Sequence, residues 1–184
     1  LSQGGNPAEL KFQRDSTINQ LDDEFSFIAS CNKGNEFLHE ATAAKIKEIA
    51  KRKWLRTLDD RLGISNGEKV RADIGGPSPS LPVEEDLLSD QPKHFYSRPD
   101  NETLPSDNPW GFNIEIPEML YNRGELSNLL IERGTLTAED RFKINEHIIQ
   151  TIIMLSQLPF PKHLRNVPEI AGGHHEKMDG TGYP

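Results

Sequence analysis

Eight of the thirteen prolines fall between Pro77 and Pro117, and this clustering limits what the chain can build. Proline fixes φ and removes a backbone donor, so no long helix can run through that stretch. Residues 75–117 are therefore expected to form an extended loop, with a brief helix at 84–88 just after Pro82. Long helices must lie on either side of it. Before the loop, apolar residues recur at helical spacing from Phe12 through Ile18, Leu21, Phe25 and Ile28, until Asn32-Lys33-Gly34-Asn35 stops the run. A second helix is expected to carry Phe37, Leu38, Ala41, Ile46, Ile49, Ala50 and Trp54 on one side. Its other side holds Lys45, Lys47, Lys51, Arg52 and Lys53, which reads as a solvated face. The turn around Asp59-Asp60 closes this pair, and Glu68-Lys69-Val70 opens a short turn of helix. Residues 1–117 thus read as a helical hairpin plus a Pro-rich insertion. Trp110 and Phe112 are the residues that anchor the loop on a helical body, since burying such a ring contributes roughly 1.5–3 kcal/mol.

Helical signal resumes near Pro117 and ends at Arg133-Gly134. The strongest helix then begins at Thr137, a natural N-cap with Asp140 at the capping-box position. Phe142, Ile149, Ile152 and Ile153 form one apolar stripe, and Ile144, Ile148 and Leu155 an adjoining one, so the helix reads as a core element. Pro159 and Pro161 stop it. A shorter helix follows, with Asn166-Val167-Pro168-Glu169 as its N-terminal signal. Gly172 and Gly173 weaken that helix by about 1 kcal/mol each relative to Ala, and their use is to let its backbone come close to a neighbour. An isolated His-His pair is ordinarily two surface side chains, and a lone His within an apolar helix is ordinarily a satisfied core residue. Here close packing of the two helices would bring His174 and His175 against His147, so that three imidazoles converge. Imidazole is the commonest protein ligand of transition metals. The arrangement reads as a helical metal site lacking its remaining ligands, in an all-α fold.

Composition narrows the function. Hydrophobic residues make up 34% of the chain, low for a compact globule of 184 residues. The formal charge of -8 argues against an electropositive track for duplex nucleic acid, although metal ions can supply positive charge locally. The single cysteine, Cys31, excludes an intramolecular disulfide and fits a reducing, cytoplasmic location. No apolar run approaches the length of a membrane span. The opening Leu1-Ser2-Gln3-Gly4-Gly5-Asn6-Pro7 has neither Met nor a signal-peptide pattern, and the chain reads as an internal segment of a longer protein.

The last third of the chain resembles the HD-GYP family of bacterial signalling phosphodiesterases. The resemblance is carried by Arg133-Gly134-Thr135-Leu136-Thr137 with Glu139, by Ile144 and His147, by Pro168-Glu169-Ile170-Ala171 leading into His174-His175-Glu176, and by the closing Asp179-Gly180-Thr181-Gly182-Tyr183-Pro184. It implies an HD-domain-like helical bundle, present in part over 118–184. It also implies two or three divalent metal ions, often iron or manganese, and hydrolysis of a cyclic dinucleotide, cyclic di-GMP or cyclic GMP-AMP. By position, His147, His174 and His175 would be metal ligands. Glu176 would orient an imidazole or pair at the surface, and Asp179 is a turn residue, since Asp-Gly favours turns. Gly182, Tyr183 and Pro184 form the family's GYP motif, discussed as a surface for diguanylate cyclase (GGDEF) domains. One departure matters. The family's His-Asp dyad should precede the Leu-Thr helix, where this chain has Glu118-Met119-Leu120-Tyr121-Asn122, and no His-Asp dipeptide occurs anywhere. Either the dyad lies upstream of Leu1, so that this chain alone is inactive, or the protein is a degenerate relative that senses nucleotide or binds partners without turnover.

Overall fold

The computed structural model of the chain describes residues 6–99 and 108–183. It forms two compact units, Leu1–Lys93 with Gly124–Thr135, and His94–Arg123 with Leu136–Pro184. About half of the described residues are helical, in six α-helices with three separate two-stranded ladders, which roughly fits the expected helical class.

The first unit opens with α1 (Pro7–Cys31), capped by the Asn6 side chain on the Ala8 amide. The apolar spacing correctly predicts a helix here, yet no residue of α1 is buried, and Phe12 and Phe25 are three-quarters exposed. A short strand β1 (Asn35–Phe37) leads into α2 (Glu40–Ala50), which buries Ile46, Ile49 and Ala50. His39 stands at the N-cap position without capping it. The helix does not continue to Trp54 as its pattern suggests. Lys53–Arg56 is instead a strand, β2, and after α3 (Asn66–Ile74) it pairs antiparallel with β3 (Val83–Asp86). The helix expected at 84–88 is therefore also replaced. Cross-strand charge explains both corrections. Lys53 pairs with Asp86 at 2.8 Å, and buried Arg56 grips Glu85 through two bonds of 2.9 and 2.8 Å. Bidentate pairs of this kind supply geometry as well as energy, and they outweigh a local helical pattern.

The basic run is solvated as expected at Lys45, Lys47, Lys51 and Lys53, which are exposed, and only Arg52 is half-buried. Arg52 makes a bidentate pair with Glu24 of α1, and Lys45 sits over the Phe27 ring at 4.2 Å. The acidic turn is also tied down: Asp60 pairs with Lys93 and Arg56, and Asp59 accepts from the Arg61 amide and the Ser78 hydroxyl. Ser65 and Glu68 cap α3 reciprocally.

In the second unit β4 (Phe95–Ser97) pairs antiparallel with β5 (Met119–Asn122). The sequence suggested a helix resuming at Pro117, but residues 119–122 are extended, and the next helix, α4 (Glu125–Leu129), lies in the first unit with β6 (Arg133–Gly134). Tyr96 and Tyr121 meet edge to face across this ladder, and the Arg98 guanidinium lies over the Phe142 ring while donating to the carbonyls of Pro117 and Met119. The main helix α5 (Ala138–Ser156) starts where the sequence places it, with the Thr137 hydroxyl accepting from the Asp140 amide. Its buried face is Phe142, Ile148 and Ile149, whereas Ile144 is half exposed. Phe112 is buried against Ile148 and Ile149, with Trp110 stacked on it at 5.7 Å. The anchoring role expected of these two rings is thus met in the second unit. Asn108 fixes the turn by bonding both the amide and the carbonyl of Phe112. Pro105 and the other residues at 100–107 lie outside the described residues.

Candidate metal centre

The final helix, α6 (Val167–Gly172), packs against α5. Asn166 precedes it but makes no side-chain cap bond, contrary to its sequence signal; Pro168 in the first turn removes one amide that a cap would serve. Gly172 is buried and explains the close approach. A Cβ built there would stand 2.8 Å from Ile152 Cδ1 and 3.0 Å from its Cγ1, inside ordinary contact distance. Gly173 meets nothing within 4 Å, so only the first glycine of the pair is needed for packing.

The chain then tightens into a single 3-10 turn, Gly173–His175, which carries the tandem imidazoles. The three predicted histidines come together. One ring nitrogen of each of His147, His174 and His175 lies within 4.8 Å of the others. Ring centroids are 5.1 Å apart for His147 and His175, 6.0 Å for His147 and His174, and 4.0 Å for the tandem pair. The cluster is open rather than inward-facing: His147 and His174 are exposed, and only His175 is half-buried.

Two backbone contacts set the chemistry. His147 Nδ1 lies 2.5 Å from the Ile144 carbonyl oxygen, and His174 Nδ1 lies 2.6 Å from that of Ala171. A carbonyl oxygen only accepts, so in the neutral ring each Nδ1 carries the proton and Nε2 is the nitrogen with the lone pair. Metal-ligating histidines are commonly held in this way, with one ring nitrogen bonded to a carbonyl. These two carbonyls were not singled out from the sequence, although a helix always places the residue three positions back within reach. The His147 and His175 Nε2 atoms are 3.2 Å apart. Bonds of about 2.0–2.1 Å at a tetrahedral ion would space two nitrogens by roughly 3.3 Å. The donor set therefore suits a divalent ion of the kind imidazole prefers. Burial, then the neighbouring His174 and His147, lower the pKa of His175 below the ordinary histidine value, which favours its neutral, ligating form.

The other predicted site residues build the turn beyond the cluster. Glu176 Oε1 accepts from the Lys177 amide at 2.8 Å and the Gly182 amide at 2.7 Å. Its described bonds are thus to backbone, in place of the imidazole or surface partner expected of it. Asp179 is a turn residue: it accepts from the Thr181 amide and hydroxyl, which holds its carboxyl below the usual range, and Gly180 follows with φ of +74°. The Tyr183 ring stacks on His175, with centroids 4.7 Å apart and planes 14° apart. Pro184 lies outside the described residues.

The position where the family's dyad would fall, 118–122, is largely strand β5. Even so, residues 82–184 match the family of the HD domain. With more than half its length matched, the chain belongs to the HD-domain family, whose members are typically metal-dependent phosphohydrolases and generally bind divalent metal ions. No curated protein and no solved structure matches the chain. Among the described residues no helix is long and apolar enough to cross a membrane.

Proposed function

We propose that His147, His174 and His175 are metal ligands in a cyclic-dinucleotide phosphodiesterase of the HD-GYP type, acting on cyclic di-GMP or cyclic GMP-AMP in bacterial signalling. The convergence of three imidazoles from α5 and the Gly173–His175 turn carries this reading. Two or three divalent ions, iron or manganese, would polarise a phosphodiester oxygen and acidify the attacking water. The chain's own residues prepare for that. The Ile144 and Ala171 carbonyls fix two rings, and the exposure of His147 and His174 leaves room for a substrate as large as a dinucleotide. Local positive charge is needed, because a chain of net charge -8 would otherwise repel a polyanion. On this reading residues 118–184 are part of a catalytic domain, 1–117 an insertion, and the 184-residue chain by itself binds metal without turnover. The GYP turn would then serve as a contact for diguanylate cyclase domains.

The absence of any His-Asp dipeptide favours a second reading, a degenerate relative that senses nucleotide or binds partners. Metal content and linear-product formation, measured on the whole protein containing this chain, separate the two. The first reading expects bound metal and metal-dependent opening of at least one cyclic dinucleotide, abolished in His147→Ala. Full metal loading with no product from either nucleotide would overturn it in favour of the second.

A further inference from the structure

We infer that Tyr183 is a positioning residue for the His175 imidazole, and that Glu176 holds it in place through Gly182. The inference rests on the metal-ligand reading of the histidine cluster and assigns the GYP turn a task within this chain. Among the described residues His175 is the one ring of the three with no backbone carbonyl bonded to it, and its Nε2 instead lies 3.2 Å from that of His147. Its orientation must come from elsewhere. The Tyr183 ring lies nearly parallel to it at 4.7 Å and is itself packed on the Phe112, Ile148 and Ile149 core. One face of the imidazole therefore rests on a ring that the hydrophobic core holds still. Stacked rings at this separation attract and exclude water from the shared face.

The clasp that delivers Tyr183 is equally specific. Glu176 follows His175 directly, and its Oε1 gathers the amides of Lys177 and Gly182, closing the loop back onto the Gly173–His175 turn. Gly182 is required by space rather than by φ. A Cβ there would overlap the Glu176 backbone and the His175 carbonyl oxygen. Residues 176 to 183 thus form a closed ring of contacts whose product is a fixed His175 face.

Cobalt(II) titration of the 184-residue chain, followed by visible absorption, tests this, with histidine-ring proton shifts as a second readout. Tyr183→Ala should weaken cobalt binding about tenfold, as loss of a ligand's supporting contact does. It should also remove the ring-current shift of the His175 protons. Tyr183→Phe should bind within about twofold of wild type, because the ring and not the hydroxyl makes the contact. Glu176→Gln keeps an amide oxygen for both donors and should behave as wild type, whereas Glu176→Ala should match Tyr183→Ala. If Tyr183→Ala does not fold, the Glu176 pair decides. A folded Tyr183→Ala or Glu176→Ala chain that binds cobalt as tightly as wild type would overturn the positioning role alone. A wild-type chain that binds no cobalt would overturn both it and the metal reading.

Discussion

Adding one methyl group at each of two neighbouring glycines should shift stability in opposite directions. Gly172 and Gly173 both have φ and ψ that alanine adopts, at -66° and -33° and at -79° and 1°. Alanine should therefore gain up to about 1 kcal/mol at either site from a less free unfolded chain. The surroundings differ. At Gly173 the new Cβ meets nothing within 4 Å, so Gly173→Ala should stabilise by about 0.5–1 kcal/mol. At Gly172 it would lie 2.8 Å from Ile152 Cδ1, about 0.7 Å closer than carbon atoms normally approach. Ile152 packs against the core but is only partly buried, so the new methyl must displace the end of its side chain. Overpacking of this kind typically destabilises by about 1–3 kcal/mol. The two variants should then differ by about 2 kcal/mol, or about 1 M in urea midpoint at a typical slope. Urea unfolding followed by Trp110 fluorescence in a Trp54→Phe background would measure it. Adding Ile152→Val removes the closest methyl and should recover part of the loss in Gly172→Ala while destabilising the parent, a coupling that a double-mutant cycle isolates. Metal affinity should fall in Gly172→Ala as well, because the added methyl pushes His174 and His175 away from His147. If Gly172→Ala is as stable as Gly173→Ala, the close helix contact does not position the cluster.

Truncating Phe112 to Ala should destabilise the second unit by about 3–5 kcal/mol in the same unfolding assay, since the ring is 7% exposed and carries Trp110 on its face. Thr137→Ala should remove the cap on the Asp140 amide and lower stability by about 1 kcal/mol, with Thr137→Ser restoring it. In the first unit Arg56, chiefly by hydrogen bonding, lowers the Glu85 pKa below the ordinary carboxylate value. A depressed carboxyl pKa stabilises above the unfolded value and loses that contribution as pH falls through the folded one. Unfolding midpoints should therefore drop as the solution is acidified below about pH 4.5, the unshifted glutamate value, and Glu85→Gln should show a shallower drop. An acid profile unchanged by that substitution would separate the ladder β2–β3 from the charge pair.

Much of the candidate site was readable before any coordinates. Helical periodicity and the Thr137 cap placed α5, and prolines bounded it, because those signals act over a few adjacent residues. The histidines could be nominated because one sits mid-helix and two follow a glycine pair. Periodicity failed at 53–56, 84–88 and 119–122, where short segments became strands. A strand needs a partner, and Arg56 finds Glu85 29 positions away, a choice no local window contains.

By itself, then, the sequence determined the helical class, the position of its principal helix, and which imidazoles had the opportunity to meet. Only the tertiary structure decided that His147 and His175 would stand 3.2 Å apart and that Tyr183 would cover the second of them. Residue identity and spacing set local geometry. The distance between two side chains 28 positions apart depends on how closely two helices pack, and here Gly172, which has no Cβ, lies where a Cβ would crowd Ile152 of α5.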